Sequence, residues 1–265
     1  MRYWLFKTRD QRAQDRLAAA EVGAGECGST NERDRERWIE AALAKVPAGW
    51  RILDAGAGEL LFKKFCSHLD YVSQDFGQYD GKGDGIGLQT GTWSQTDLDI
   101  VSDITAIPER DESFGAVMCI EVLEHLQQPQ QALRELVRLL KPGGYLIVTC
   151  PFCSLTHFAP YFFGTGYSRY FYEHWFGVYG LEIIDMQWNG NYFEYLAQEL
   201  RRLPQMACDF ADTELGVEDR TRIYQMIRTL GGLSSSDRGS KQILAYGLHV
   251  MARKKKSDEI GSGLK

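Results

Sequence analysis

The decapeptide Arg-Ile-Leu-Asp-Ala-Gly-Ala-Gly-Glu-Leu, residues 51–60, changes from strand-forming to turn-forming residues within ten positions. Its first three residues are typical of a buried parallel strand, which is expected to end at Asp54. Gly56 and Gly58 free the backbone for a sharp turn, and a helix is expected to begin near Glu59. Because ligands of open α/β sheets bind outside the carboxyl ends of the strands, this turn predicts a nucleotide pocket. On these ten residues alone, an ordinary strand–turn–helix corner is the alternative.

Two classes of cofactor compete for such a turn. A dinucleotide site requires Gly-x-Gly-x-x-Gly, and Leu61 occupies its third glycine position. Asp54 would repel a pyrophosphate but suits a ligand with an ammonium group, such as S-adenosylmethionine. The stretch resembles the first motif of the class I S-adenosylmethionine-dependent methyltransferases, acidic-x-Gly-x-Gly-x-Gly. Asp54, Gly56 and Gly58 match that motif, whereas Leu60 replaces its last glycine, as in many small-molecule members.

A second carboxylate follows the next predicted strand. Residues 60–69 are predicted to form the first crossover helix, and residues 70–75 a strand that ends in Asp75, twenty-one positions after Asp54. A carboxylate about 20 residues beyond a glycine turn can accept both ribose hydroxyls from the tip of the adjacent strand. Asp75 and the following Phe76 are therefore predicted to bind the cofactor. A strand-ending aspartate that caps the next turn is the alternative.

The third strand and its turn follow a glycine-rich stretch. Residues 77–96 are expected to form a loop over the site instead of a second crossover helix, and residues 98–101 the third strand. In the methyltransferases that this chain resembles, an acidic residue followed by an apolar one reads the adenine at this point. Asp103 and Ile104 match that pair, although an aspartate that caps a turn is again the alternative.

Residues 113–152 carry the most specific resemblance. Residues 114–120 are predicted to form a central strand buried on both faces, and Glu-Val-Leu-Glu-His follows at 121–125. A helix is predicted over 128–140, Lys-Pro-Gly-Gly at 141–144 ends it, and a fifth strand is predicted at 145–150. Glu-Val-Leu-Glu-His and Leu-Lys-Pro-Gly-Gly resemble signatures of the small-molecule branch that includes the ubiquinone-biosynthesis methyltransferases. The resemblance covers residues 50–152 and implies methyl transfer to a small molecule, with Glu121 among the cofactor-binding residues.

His125 is the predicted catalytic residue. If the segment is helical, Glu121 and His125 share a face at positions i and i+4, and both could point into the mouth of the site. A neutral histidine could remove a proton from a hydroxyl or amine acceptor. In part of the resembling branch the Glu/Glu/His set is assigned to a divalent metal, which would lower the acceptor's pKa instead. A capping Glu and a hydrogen-bonded His that hold the loop are the structural alternative, and no metal ligand is assigned.

An aromatic segment follows the fifth strand. Residues 158–179 contain eleven aromatic residues, more than one helix face needs for packing. An aromatic cap at this place would exclude water and hold a flat or hydrophobic acceptor. The members with a polar tip are the predicted substrate-binding residues, namely Tyr161, Tyr167, Tyr170 and His174. Cys150-x-x-Cys153 with His157 has partial zinc spacing, but no second pair of ligands follows.

Composition limits the class of protein. The chain has 265 residues, 44% of them hydrophobic, which allows a full core, and its net charge of −6 argues against electrostatic binding of nucleic acid. No apolar run reaches the roughly 18 residues that span a bilayer. The N-terminus lacks a signal peptide's apolar core, and the six scattered cysteines form no disulfide framework. We therefore expect a cytoplasmic protein with a small-molecule partner, no membrane association and reduced thiols.

The sequence predicts an α/β fold, a Rossmann-like, seven-stranded, mostly parallel sheet with helices on both faces, an antiparallel last strand and an aromatic-rich cap insertion. The predicted organisation is an N-terminal extension (1–28), a methyltransferase domain (29–253), with the cap and inserted helices at about 153–240, and a flexible tail (254–265). The predicted activity is S-adenosylmethionine-dependent methylation of a small molecule, with oxygen the preferred acceptor atom. Two alternatives are an inactive member that binds a nucleoside or partner proteins, and a nicotinamide oxidoreductase, which Leu61 and Asp54 disfavour.

Overall fold

The computed structural model describes residues 8–85, 87–88, 91, 93–94, 97–256 and 259. Residues 1–7 of the predicted extension, and 257–258 and 260–265 of the predicted tail, lie outside the described residues. The chain divides into two compact units. A sheet unit comprises Asp34–Asn189 and Gly247–Lys265, and a helical unit comprises Met1–Arg33 and Gly190–Tyr246. No helix of the described residues is long and apolar enough to cross a membrane.

The sheet unit contains a seven-stranded sheet in the order β3-β2-β1-β4-β5-β7-β6. The strands β1 to β5 pair in parallel, and β7 is antiparallel to both β5 and β6. The strands are β1 (Arg51–Ala55), β2 (Asp70–Asp75), β3 (Ile100–Val101), β4 (Phe114–Ile120), β5 (Leu140–Pro151), β6 (Leu181–Asn189) and β7 (Gly247–Lys254). The predicted Rossmann-like sheet is confirmed, including the antiparallel last strand. The last strand begins at Gly247, after a short 3-10 helix at Ser240–Gln242.

Hydrophobic residues cover both faces of this sheet. All seven residues of β4 are buried, as predicted for a central parallel strand. Successive side chains of β4 alternate between two core clusters: Val117 and Cys119 belong to one, and Ala116, Met118 and Ile120 to the other. The helices that supply these clusters are α2 (Asn31–Leu43) on one side, and α3 (Pro129–Leu139) and α4 (Arg169–Val178) on the other.

The chain after β1 differs from the prediction. Instead of a crossover helix over residues 60–69, the structure has turns and one 3-10 helix, Lys63–Phe65. Gly58 and Leu60 adopt φ of 49° and 60°, and a left-handed backbone cannot continue into a right-handed α-helix. The backbone at Leu60 thus keeps the conformation that favours glycine, the residue that the resembling motif carries there. The described residues between β2 and β3 contain no helix, as predicted for the loop at 77–96. Residues 86, 89–90, 92 and 95–96 of that loop lie outside the described residues.

The helical unit contains α1 (Arg9–Ala24), α5 (Tyr192–Ala211) and α6 (Val217–Ser235). Its small core is formed by Ala24, Cys27, Ala197, Ile227 and Leu230. The helix α1 lies within the predicted N-terminal extension and begins with a capping box between Thr8 and Gln11. Both helices lie within the predicted insertion: α5 continues past Pro204, and α6 runs through Gly231 and Gly232 to Ser235.

Candidate active site

A cavity of about 720 Å³ lies at the carboxyl ends of β1, β2 and β4. This is the edge of the sheet at which open α/β folds bind ligands, and the volume suits a nucleoside-sized molecule. Every residue that lines the cavity belongs to the sheet unit. The sequence-predicted residues that it brings together are Asp54, Gly56, Gly58, Asp75, Phe76, Asp103, Ile104, Glu121, His125 and Tyr161.

The glycine turn is held against β2 by its own backbone. The amides of Gly56 and Ala57 both donate to the carbonyl oxygen of Gln74, at 2.8 and 2.9 Å. A Cβ on Gly56 would lie 2.5 Å from Cγ2 of Val122, and a Cβ on Gly58 would lie 2.5 Å from the indole ring of Trp93. Both positions also have positive φ. Glycine is therefore required here by conformation and by close packing of protein side chains.

Asp75 connects this turn to the end of β2. Its Oδ2 accepts a hydrogen bond from the amide of Gly58 and its Oδ1 one from Gly77, each at 3.0 Å. The side chain lines the cavity although the residue is only 6% exposed. The capping alternative therefore describes contacts that Asp75 does make. A carboxylate oxygen can accept more than one hydrogen bond, so ribose binding at the same group stays a prediction.

Asp54 is the most buried carboxyl group that lines the cavity, at 2% exposure. The hydroxyl of Tyr71 donates to its Oδ2 at 2.6 Å. The pKa of Asp54 is raised to about 7, chiefly by burial, with the Tyr71 hydrogen bond opposing the shift and the nearby charge of Asp75 adding to it. The group is therefore close to its titration point at neutral pH, and a cationic ligand would favour its ionised form.

Further polar atoms at this edge can receive a ligand. Oε1 of Gln74 and Nε1 of Trp93 are buried and have no hydrogen-bond partner among the described residues, and both side chains line the cavity. A buried polar atom without a partner is costly, so such atoms point to groups that a ligand satisfies. One acceptor, one donor and two carboxylates fit the amine, hydroxyl and ring atoms of an adenosyl compound. S-adenosylmethionine therefore fits the residues present.

Asp103 and Ile104 lie on the turn after β3 and line the same cavity. Oδ1 of Asp103 accepts hydrogen bonds from both the amide and the hydroxyl of Thr105, each at 2.7 Å. Ile104 is 7% exposed and packs in the core. As at Asp75, the turn-capping alternative is present in the structure, and adenine recognition by this pair stays a prediction.

Glu121 is held by two other side chains. Its Oε2 pairs with Nη1 of Arg35 at 2.9 Å, and its Oε1 accepts the hydroxyl hydrogen of Thr149 at 2.8 Å. Glu121 has φ of 53°, and the 3-10 helix that follows begins only at Leu123. The predicted sharing of a helical face by Glu121 and His125 is therefore wrong, because the left-handed residue ends the strand and no α-helix connects the two.

His125 lines the cavity and is a neutral side chain near pH 7. Its pKa is lowered to about 4, chiefly by burial and also by the neighbouring His157, and the carbonyl of Tyr161 opposes the shift. Because Nδ1 of His125 lies 2.6 Å from that carbonyl oxygen, it carries the proton and leaves Nε2 with a lone pair. Nε2 is therefore the atom that can accept a proton or bind an ion.

The aromatic segment divides between the cavity and the core. Phe158, Tyr161 and Phe163 line the cavity, together with Tyr79 and Trp93 from the loop after β2. The prediction for the other three substrate residues does not agree with their placement. Tyr167 donates to the carbonyl of Leu123 and stacks on Phe171 in the core, whereas Tyr170 and His174 are exposed on α4. The helix α4 instead buries Tyr172 and Phe176, so the sheet needs these aromatic rings as core.

Several residues at the site were missed from the sequence. Arg35 lies on α2, which the sequence presents only as a packing helix, and Tyr79 and Trp93 lie in a loop without periodicity. The sequence pattern relates His157 only to the cysteines, whereas its ring lies 4.7 Å from that of His125. A histidine within a few residues of the end of a central strand was the one available signal.

Comparison with known proteins agrees with this geometry. Residues 87–148 match the family model described as a methyltransferase domain. The chain is 32% identical over 178 residues to the demethylmenaquinone methyltransferase of Mycobacterium bovis (strain BCG / Pasteur 1173P2), covering 66% of this chain and 69% of that one. It is 34% identical over 118 residues to the ubiquinone biosynthesis O-methyltransferase of Xanthomonas axonopodis pv. citri (strain 306), covering 43% and 48%.

The solved structure of the [4+2]-cyclase SpnF covers 94% of this chain and 96% of its own, with 17% identity and a TM-score of 0.50. That likeness concerns the fold alone, because one fold hosts several chemistries. The chain spans about half to two thirds of the length of the curated relatives it matches. It belongs to the class I S-adenosylmethionine-dependent methyltransferases, and S-adenosylmethionine is the cofactor of that family.

Proposed function

We propose that this protein transfers the methyl group of S-adenosylmethionine to a small-molecule acceptor, and that the acceptor atom is oxygen. The observation that carries the proposal is the convergence of the predicted cofactor residues on one cavity at the carboxyl edge of the sheet. The quinone in the names of both relatives supports a flat ring acceptor, and the name of one of them, ubiquinone biosynthesis O-methyltransferase, supports oxygen as the acceptor atom.

The two sides of the cavity have different chemistry. Asp54, Asp75 and Asp103 supply carboxylates on the side of β1 to β3, where they would hold the ammonium, ribose and adenine groups of the cofactor. When bound, S-adenosylmethionine supplies an electrophilic methyl group on a positively charged sulfur. The side of His125 and Tyr161 is aromatic, with rings that include Phe158 and Phe76. This side would exclude water and place the acceptor against the methyl group.

His125 is the proposed proton acceptor on the aromatic side. Its Nε2 carries the lone pair, and its low pKa keeps that lone pair free throughout the neutral range. The same low pKa makes it a weaker base than an ordinary histidine, so its contribution would come mainly from position. Arg35, which pairs with Glu121, is the one Lys or Arg side chain among the residues that line the described cavity, and it would meet a carboxylate of the cofactor or acceptor.

Calorimetric titration with S-adenosylhomocysteine and with NAD tests the cofactor assignment. We expect micromolar binding of the adenosyl compound and no comparable binding of NAD. Asp75→Asn should weaken the adenosyl ligand by about 1.5–3 kcal/mol, the range for hydrogen bonds to a charged group. Asp99→Asn is the matched control, because Asp99 accepts hydrogen bonds from Ser73 at 2.8 Å and does not line the cavity. Tighter binding of NAD than of the adenosyl ligand would reject the proposal.

A further inference from the structure

Tyr71, on β2, lies beside the aspartate near the end of β1. In the parallel pairing of the two strands, Asp54 lies opposite Ser73, two residues along β2 from Tyr71. Paired residues of neighbouring strands point to the same face of a sheet, and so do residues two apart in one strand. The side chains of Asp54 and Tyr71 therefore share a face. The long tyrosine side chain reaches along the strands, and its hydroxyl donates to Oδ2 of Asp54 at 2.6 Å.

The sheet face that carries Asp54 is largely apolar. Ile52, two residues earlier in β1, and Met118, the partner of Asp54 in β4, belong to one core cluster, and Tyr71 packs against it. The carboxyl group of Asp54 is only 2% exposed and loses most of the water that would stabilise its charge. Its ionised form therefore depends on hydrogen bonds from the protein and on charges in the cavity.

The hydroxyl of Tyr71 is a donor throughout the physiological pH range. Burial, followed by the charge and the hydrogen bond of Asp54, raises the pKa of Tyr71 well above its usual value. Cys66 and Asp99 raise this pKa further, and Nζ of Lys63 lies 5.5 Å from the ring centre. Tyr71 is not among the residues that line the described cavity. It can therefore act on a ligand there only through Asp54.

Three other titratable groups act on Asp54 or lie beside it. Cys66 and Cys119 approach it from the chain after β1 and from β4, and burial raises the pKa of both thiols, which stay protonated and neutral. The charge of Asp75, on β2, disfavours the ionised form of Asp54. Against burial and this charge, the hydrogen bond from Tyr71 is the contribution that favours ionisation.

Two charged side chains line the same cavity as Asp54, namely Glu121 after β4 and Arg35 on α2. Nη1 of Arg35 pairs with Oε2 of Glu121 at 2.9 Å, and Oε1 of Glu121 accepts from the hydroxyl of Thr149 at 2.8 Å. The two charges largely compensate each other. Their pairing leaves the hydroxyl of Tyr71 as the group that holds the carboxyl of Asp54 directly.

We propose that Tyr71 is a positioning residue for the cofactor. Its hydroxyl holds Oδ2 of Asp54, leaves Oδ1 for a ligand in the cavity, and favours the ionised carboxylate that binds an ammonium group. This inference deepens the proposed function and rests on it for the identity of the ammonium compound. A tyrosine that served only for packing would contribute its ring, which Tyr71→Phe keeps, so the proposed role belongs to the hydroxyl alone.

Titration of the ligand-free protein is the first test. The carbon-13 shift of the Asp54 carboxyl group reports its ionisation, and the resonance is assigned by its absence in Asp54→Asn. We expect Tyr71→Phe to raise the midpoint by about one pH unit or more, because a hydrogen bond to a charged group is lost. Tyr179→Phe is the matched control: the Tyr179 hydroxyl donates to the carbonyl of Gln130 at 2.9 Å, and Tyr179 does not line the described cavity.

Calorimetry with two adenosyl compounds is the second test. For a midpoint raised by one pH unit, Tyr71→Phe should bind S-adenosylhomocysteine about tenfold more weakly than wild type at pH 6. At pH 8.5 Asp54 is mostly ionised in both proteins, and the difference should fall below about twofold. 5′-Methylthioadenosine, which lacks the amino-acid part, should bind both proteins equally and shows that the cavity has folded. In an Asp54→Asn background, Tyr71→Phe should change neither affinity.

Equal Asp54 midpoints in wild type and Tyr71→Phe would overturn the inference. A loss of S-adenosylhomocysteine affinity that is the same at pH 6 and pH 8.5, or an equal loss for 5′-methylthioadenosine, would assign Tyr71 to packing. The two proposals fail separately. If neither adenosyl compound binds the wild type, the cofactor assignment is rejected, and the ligand-free titration still decides what the hydroxyl does to Asp54. Binding of both compounds with an unchanged midpoint rejects the role of Tyr71 alone.

Discussion

At the scale of single residues, Asp54 combines deep burial with a position on the cavity wall. Its pKa of about 7 means that much of the population is protonated below neutral pH. Binding of an ammonium group requires the ionised form, so lowering the pH costs the ligand a deprotonation. We predict that S-adenosylmethionine affinity rises by up to about tenfold per unit between pH 5 and 7. Calorimetry at several pH values measures this, and Asp54→Asn should bind more weakly with a flat dependence. A wild-type affinity that is constant over this range would exclude Asp54 from contact with the ammonium group.

His125 should behave unlike an ordinary histidine. Since burial lowers its pKa to about 4, it stays neutral when the pH falls from 8 to 6, and turnover should not fall through protonation of this residue. We predict that His125→Gln lowers turnover by on the order of 10² and changes affinity for S-adenosylhomocysteine by no more than a factor of two or three. Initial rates between pH 5.5 and 8.5 check both points. A wild-type rate that titrates near pH 6.5, or full turnover in the variant, would contradict the assignment.

Only some residues of the site are predictable from the sequence. The sequence predicts Asp54, Asp75 and Asp103 at the site because each lies at or just after the end of a parallel strand, and the carboxyl ends of parallel strands meet at one edge of the sheet. His157 and Trp93 were not found, because their positions depend on how long irregular loops return to that edge. Glu121 was found, but its pairing with Arg35 was not, since the pairing joins residues 86 positions apart.

At the scale of elements, the turn after β1 can be tested at Leu60. Its φ of 60° costs a leucine roughly 1–2 kcal/mol, whereas glycine adopts that conformation freely but adds flexibility to the unfolded chain. We predict that Leu60→Gly leaves the free energy of unfolding unchanged or raises it by up to about 1 kcal/mol. Leu61→Gly, the same change at the next position, where φ is not positive, should lower it by a similar amount. Denaturant unfolding of both variants measures the difference, and equal destabilisation would mean that the left-handed turn is not maintained in solution.

The packing of the same turn can be separated from its conformation. Gly56 and Gly49 have φ of 78° and 76°, but a Cβ would meet Val122 at 2.5 Å only in the first case and nothing within 4 Å in the second. We predict that Gly56→Ala is more destabilising than Gly49→Ala by about 1–3 kcal/mol, the cost of overpacking. Adding Val122→Ala to Gly56→Ala should recover part of that difference. Equal losses in the two single variants, measured by denaturant unfolding, would show that Val122 yields easily.

Among the elements, the sheet is predictable from the sequence, whereas the irregular first crossover is not. The apolar runs at β1, β4 and β5 are buried on both faces, so their continuous apolar composition and their length identify them. The predicted crossover helix is wrong because Gly58 and Leu60 have positive φ, which prevents an α-helix although the composition of the segment is compatible with one. The prediction of substrate-binding residues in the aromatic segment is wrong in part, because composition does not distinguish rings that cover β4 and β5 from rings that line a cavity.

At the scale of the whole molecule, the cavity and the net charge limit the class of acceptor. The described cavity has the carboxylates of Asp54, Asp75 and Asp103 on one side and an aromatic wall on the other, and its volume of about 720 Å³ suits a nucleoside-sized cofactor with a small acceptor. The chain's net charge of −6 opposes binding to a phosphate backbone. We therefore predict that, with methyl-labelled S-adenosylmethionine and an extract of the source cells, the label enters the small-molecule fraction and an O-methylated aromatic product. His125→Gln protein in the same extract is the control for transfer by other enzymes. Label in RNA or protein would refute the small-molecule assignment, and tight cofactor binding without transfer to any fraction would favour a binding protein of the same fold.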